Sequence, residues 1–259
     1  MTRARRKIPL QGWYVISLRP LGQHAGVRRA AARLGAATFA VSSVRLLATK
    51  SGESLRAALA CPRVIVTSPA AVRFANAQRA LRQRKGQLWF APGAGTAAAL
   101  RRLGITQVRT AGRGADSEAL LADPALQGPG LGRTGLITAP GGRGLIADVL
   151  ARRGGSAVVA YVYRRETRTP SNARRRALAA LPARSALLVS SGEALDALWL
   201  TLDPGQQAIL RGRPCVVSSE RLAGLARELG FGTVIRAHDA LPRNLLSALA
   251  DHVVGGRFR

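Results

Sequence analysis

The chain has 259 residues, 47% of them hydrophobic but only 4% aromatic, and a formal charge of +27 from 40 basic and 13 acidic residues. That length and apolar content exclude a disordered chain and a small disulfide-stapled domain, and they suit two lobes, each with a core of its own. No apolar run reaches the roughly 20 residues needed to cross a bilayer, and the basic start from Met1 to Lys7 has no hydrophobic segment behind it, so the expectation is a soluble, cytoplasmic protein without a membrane partner.

In chain order, Trp13 to Gly35 predicts a strand, a polar turn and a helix closed by glycine, followed by an extended segment from Ala36 to Ala48. Val64 to Ser68 is an aliphatic strand that ends in hydroxyl side chains and turns at once into a helix from Pro69. Leu88 to Ala91 with a helix to Gly104 follows, then Leu136 to Gly154 as another strand, turn and helix. Ala157 to Thr169 is again extended. Leu187 to Ser191 with a helix from Gly192 echoes the Val64 unit, and Cys215 to Ser218 with a helix to Gly230 echoes the Leu88 unit. An ordered repeat with a period near half the chain means two similar α/β lobes, and two such lobes are expected to enclose a functional cleft.

The turns differ in information. Gly93-Ala94-Gly95-Thr96-Ala97-Ala98 fits a loose dinucleotide fingerprint, but its second-half copy, Ser218 to Ala223, lacks the glycines. Gly128 to Gly135 has no Lys before a Ser or Thr and reads as a connection. Ala139-Pro140-Gly141-Gly142-Arg143-Gly144 has small residues at a strand end, where helix N-terminal amides can approach an anion; a tight turn without ligand explains it equally well. Cys61 and Cys215 are too few for a metal site and read as buried bystanders, and the three histidines have no metal or triad spacing. The basic excess points to a polyanionic partner. Arg is spread over every helix, without the stripe and interleaved aromatics of a nucleic-acid binder.

Taken together and in order, these segments resemble the uroporphyrinogen-III synthase family. The resemblance runs from Trp13 to Leu249. It is carried by Leu18-Arg19-Pro20, Thr67-Ser68-Pro69-Ala70-Ala71-Val72, the Gly93 to Gly104 unit, Ser117 to Leu121, Gly141-Gly142-Arg143, Ala160 to Arg165, Ser190-Ser191-Gly192 and Leu241 to Leu246. Departures are the missing Pro between Ala37 and Leu47 and Ser218-Ser219 in place of a glycine turn. The resemblance implies an α/β fold of two similar lobes, each a parallel sheet flanked by helices, joined by a two-stranded linker. The chain crosses over, so that 1–36 plus 170–259 form one lobe, 49–156 the other, and 37–48 with 157–169 the linker strands.

It also implies a monomeric lyase that uses no cofactor and no metal. Such an enzyme closes linear hydroxymethylbilane into uroporphyrinogen III, inverting the last ring and losing water, with a transient contact to the enzyme that supplies the bilane. The substrate is an octacarboxylate that must be held in one geometry, so orientation dominates the chemistry. Thr67, Ser68, Gly141, Gly142, Ser190 and Ser191 are the expected carboxylate contacts, with Arg19 and Arg143 adding attraction. For the hydroxyls, helix capping is the competing role. Tyr163 matches the family's recurrent tyrosine and is the candidate to assist departure of the hydroxyl, with packing in the linker as the alternative. A non-catalytic two-lobed polyanion-binding or regulatory protein of the same fold stays open at this point.

Overall fold

The computed structural model describes residues 8–111, 117–128, 130–141 and 144–256. The chain begins with β1 (Tyr14–Ser17), α1 (Ala25–Arg33), β2 (Ala37–Ala40), β3 (Val44–Ala48), α2 (Gly52–Leu59), β4 (Arg63–Val66), α3 (Pro69–Gln78), β5 (Leu88–Ala91) and α4 (Ala94–Arg101). It continues through β6 (Val108–Thr110), α5 (Ser117–Leu121), a 3-10 turn at Pro124–Leu126, β7 (Arg133–Thr138), α6 (Leu145–Arg152), β8 (Ser156–Tyr161) and β9 (Tyr163–Thr167). The last part holds α7 (Asn172–Ala179), β10 (Ser185–Val189), α8 (Gly192–Trp199), α9 (Pro204–Arg211), β11 (Cys215–Val217), α10 (Glu220–Glu228), β12 (Val234–Arg236) and α11 (Pro242–Val254).

The residues fall into two compact units, 1–45 with 166–259 and 46–165. The first unit holds a five-stranded sheet of order β12-β11-β10-β1-β2, and the second one of order β6-β5-β4-β7-β8. All these pairings are parallel, so each sheet needs helices on both faces. The two orders correspond strand for strand, β10 with β4, β11 with β5 and β1 with β7. In each, the strand-helix-strand unit that begins with β1 or β7 lies on the far side of a central strand. β1 pairs with β10, and β4 with β7. The repeat legible in the sequence is thus one doubly wound pattern used twice.

Local chemistry explains the elements. All five residues of β10 are buried, as a central parallel strand covered on both faces requires. Alternation sorts the second sheet's core: Val64, Val66, Trp89 and Ile137 face one cluster, while Ile65, Phe90 and Leu136 face the other. In the first unit Val15, Ala186, Leu188 and Val216 pack with Leu245, Leu246 and Leu249 of α11. Ser68, Ser171, Ser191, Asp203 and Ser219 cap the helices that follow them, each contributing about 1 kcal/mol. A Cβ on Gly135 would stand 2.1 Å from the Ala58 carbonyl oxygen, so only glycine lets α2 lie this close to β7.

The linker differs from the expected boundaries. The segments 37–48 and 157–169 are each divided. β2 and β8 extend their sheets as parallel edge strands, whereas β3 and β9 pair antiparallel in a separate two-stranded sheet. The reason is that Ala37–Ala40 and Ser156–Tyr161 bring a row of backbone donors and acceptors alongside β1 and β7, and pairing there satisfies groups that a free linker would leave to water. The chain passes between the units at 45/46 and 165/166. Arg45 Nε donates to Glu166 Oε1 at 3.0 Å on this short ladder. Among the described residues, no helix is long and apolar enough to cross a membrane.

Candidate functional site

In a doubly wound sheet, ligands collect beyond the carboxyl ends of the strands where strand order reverses. In the second unit the reversal lies between β4 and β7. A cavity of about 260 Å³ opens there, with Thr67, Ser68, Thr138, Gly141, Tyr161 and Arg165 among its polar lining and Leu136, Ile146 and Val159 among its apolar lining. Polar groups converging on an apolar wall are the usual make-up of a small-molecule site. The Gly93 turn follows β5, one strand away from the reversal, which argues against its dinucleotide reading.

Each polar group is placed by its local sequence. β4 ends at Val66, and the Thr67 amide continues the ladder to the Ile137 carbonyl at 3.1 Å. Thr67 and Thr138 therefore sit side by side at adjacent strand ends, their hydroxyls 2.8 Å apart. Pro69 at the first helical position starts α3 without needing a backbone donor. Ser68 caps that helix by accepting from the Ala71 amide at 3.0 Å, so the capping role and a place on the cavity wall coexist in one side chain. Gly141 has φ +85°, a conformation L side chains rarely adopt, and it keeps the turn after β7 free of a Cβ.

Tyr163 is 2% exposed, with its ring stacked on Phe74 at 5.3 Å between centroids. Its hydroxyl lies 3.2 Å from Ser68 Oγ and accepts from Arg165 Nη2 at 3.4 Å. Arg165 also donates to the Pro140 carbonyl at 3.4 Å. The phenol is thus aligned from two sides by residues that themselves line the cavity. Packing and polar contact are both real for this side chain.

In the first unit the reversal falls between β1 and β10. Ser190 and Ser191 follow β10, both half-buried, and Ser191 caps α8 by accepting from the Ala194 amide at 3.4 Å. Arg19 follows β1, half-buried, and donates to the Ala240 carbonyl; burial lowers the pKa of its guanidinium. Behind it His24, 5% exposed, bridges Ser17 Oγ at 2.9 Å and Ser42 Oγ at 2.8 Å. Ser42 spends its own proton on the Arg19 carbonyl at 2.8 Å, so His24 must donate from Nε2 and accept at Nδ1. Burial first, then Arg28, Arg174 and Arg19, bring the His24 pKa down to about 4, and the ring is neutral near pH 7.

The expected site residues therefore divide by unit. Thr67, Ser68 and Gly141 line one cavity with Tyr163 behind them, whereas Arg19, Ser190 and Ser191 occupy the equivalent strand ends of the other unit. Gly142 and Arg143 lie outside the described residues. Arg165, Thr138 and Tyr161 were not anticipated. Arg165 had a signal, because two-residue periodicity from Tyr163 along one strand puts it on the same face. Thr138 had one as well, a hydroxyl at the end of β7 matching Thr67 at the end of β4. Both cysteines are buried and unpaired, and burial pushes the Cys215 thiol up to about 12, which leaves no thiolate nucleophile there at neutral pH.

Residues 27–246 match the family model described as uroporphyrinogen-III synthase HemD. A uroporphyrinogen-III synthase of Salmonella typhimurium LT2 is 36% identical over 195 residues, covering 72% of this chain and 77% of the relative. One from Escherichia coli K12 is 34% identical over 184 residues, 69% and 74% of the two chains. Among solved structures, a mutant uroporphyrinogen III synthase of Thermus thermophilus superposes with a TM-score of 0.60 at 19% identity, over 94% of this chain and 99% of its own. The Helicobacter pylori 26695 synthetase gives 0.58 at 13% identity, over 92% and 98%. At such identities the two structures speak for the fold alone.

Proposed function

Because the chain belongs to the uroporphyrinogen-III synthase family, we propose that it closes hydroxymethylbilane into uroporphyrinogen III, inverting the last pyrrole ring and releasing water as a hydro-lyase. The observation that carries the site assignment is the convergence of Ser68, Tyr163 and Arg165 beside the cavity at the β4–β7 reversal. Loss of hydroxide from one end of the bilane yields an electrophilic azafulvene. Attack at the substituted carbon of the far ring forms a spiro intermediate, whose collapse inverts that ring.

Arg165 donates to the phenolic oxygen of Tyr163, which leaves the phenol's own proton free for Ser68 Oγ. Ser68 already accepts from Ala71, and its remaining proton then points to the departing hydroxyl. Tyr163 in this reading assists by hydrogen bonding relayed through Ser68, and the Arg165 guanidinium steadies negative charge that gathers on the phenolic oxygen. Thr67, Thr138 and the turn at Gly141, with Gly142 and Arg143 beyond it, bind carboxylate arms in charge-assisted hydrogen bonds of roughly 1.5–3 kcal/mol each. Arg19, Ser190 and Ser191 are the candidate carboxylate ligands at the strand ends of the first unit. We place the protein in the cytoplasm, acting as a monomer in transient contact with the enzyme that makes the bilane.

The test is the isomer composition formed from hydroxymethylbilane by purified protein, corrected for spontaneous closure to isomer I. Uroporphyrinogen III is the expected product. Isomer I alone, at the uncatalysed rate, overturns the assignment.

A further inference from the structure

The first unit has a second cavity that the proposed chemistry does not use. It measures about 440 Å³ and lies past the ends of β1 and β2, against the starts of α1 and α7. Arg28, Arg168 and Arg174 line it, with His24, Ser42 and Ser171 between them, and no carboxylate is part of its lining among the described residues.

The three guanidinium groups are not held alike. Arg174 is fixed, its Nε donating to the Ala40 carbonyl at 2.9 Å with Nη2 on the same oxygen, and its guanidinium carbon standing 3.9 Å above the Phe39 ring. That arrangement leaves its Nη1 donors unspent. Arg28 and Arg168 have no hydrogen bond or ion pair to their guanidinium groups among the described residues. Three like charges facing one concavity without an anion repel one another, and a bound anion of matching charge removes that cost. The hydroxyls of Ser42 and Ser17 are already committed through His24, so the wall is rigid where it meets the cations. One anchored guanidinium beside two that carry no internal partner suits a ligand that accepts several hydrogen bonds at once.

We propose that this cavity is a binding site for a small multivalent oxyanion, bearing two or more phosphate or carboxylate groups, held by Arg28, Arg168 and Arg174. Its lining belongs wholly to the first unit, and the proposal does not depend on the reaction assigned to the cavity at the β4–β7 reversal.

The experiment titrates inorganic pyrophosphate and, separately, citrate into the full-length protein by calorimetry, at constant ionic strength balanced with sodium chloride. One-to-one binding of at least one anion is expected, weakened tenfold or more in an Arg28→Gln/Arg168→Gln double variant. A charge-matched control, Arg82→Gln/Arg152→Gln, places the same loss of charge on exposed residues of the other unit and should bind as wild type does. Preference for pyrophosphate marks a phosphate site, and preference for citrate a carboxylate site. Absence of binding by both anions, or equal weakening in the two double variants, overturns the proposal, the second outcome by attributing capture to diffuse charge. Since no bilane is used, the result stands whether or not the protein makes uroporphyrinogen III.

Discussion

Replacing His24 should abolish part of the acid sensitivity of the first unit. The ring accepts the Ser17 proton at Nδ1 and donates from Nε2 to Ser42, so protonation at Nδ1 turns it into a donor to Ser17 Oγ, takes away the acceptor of the Ser17 proton and adds charge among Arg28, Arg174 and Arg19. The folded pKa is about 4, against an ordinary value of 6.5. Below pH 6.5 the unfolded chain therefore takes up a proton that the folded chain refuses, and stability falls as the pH drops from 6.5 toward 4; above 6.5 the contribution is fully present and flat. Integrating between pH 7 and pH 5 gives about 2 kcal/mol lost by the wild type through this residue, out of at most about 3.4 kcal/mol. Urea unfolding at both pH values, in a buffer free of multivalent anions, measures it through Trp13 and Trp199. His24→Gln keeps one donor and one acceptor but does not titrate. It should be less stable than wild type at pH 7 and lose about 2 kcal/mol less on acidification. Equal pH dependence in the two proteins, within about 0.5 kcal/mol, refutes the buried neutral imidazole.

Tyr163→Phe should fold normally and lose at most roughly 10² to 10⁴-fold in rate, because the phenol assists while the shape of the site imposes inversion. Its product should remain mainly isomer III; a rate equal to wild type assigns Tyr163 to packing against Phe74, and efficient enzymatic formation of isomer I contradicts the division between shape and acid assistance. Raising salt from about 0.1 to 1 M shortens the Debye length from about 10 to about 3 Å, and the KM for the octacarboxylate should rise more than kcat falls. A flat KM would detach the +27 charge from substrate capture. Gly135→Ala should cost the second unit about 1–3 kcal/mol or more, since the added methyl meets the Ala58 carbonyl at backbone. An unchanged urea midpoint would mean that α2 moves away freely.

The strand-helix units were legible because burial imposes period. Val64-Ile65-Val66 and Leu187-Leu188-Val189 are continuous aliphatic runs, which only a strand covered on both faces tolerates, and Ser68 and Ser191 mark where each following helix begins. What escaped was pairing at the sheet edges. Ala37-Thr38-Phe39-Ala40 and Ser156 to Tyr161 are only partly buried, and nothing in their alternation says whether the partner is β1, β7 or another linker strand. At the site, strand-end hydroxyls were visible because they end aliphatic runs. Arg165 was hidden by abundance: in a chain with 40 basic residues, one arginine beside a tyrosine carries no distinction until the fold places it near the phenol. The His24 bridge was hidden too, because Ser17, His24 and Ser42 meet only once β1, α1 and the segment after β2 are assembled.

The passage of the chain between units at 45/46 and 165/166 has a consequence for its birth on the ribosome. Residues 46–165 are contiguous, so every strand of the β6-β5-β4-β7-β8 sheet has been synthesised when residue 165 emerges, and that unit can condense at once. β1 and β2 emerge earlier and wait longer. Tyr14 pairs with Ser185, so β1 has no central neighbour until β10 is made, and a two-stranded parallel pair alone buries too little to persist. During that interval Val15 and Ile16, both fully buried in the finished sheet, are exposed in the nascent chain. The exchanged topology thus makes β1 wait for β10 before the sheet of the first unit can assemble around it.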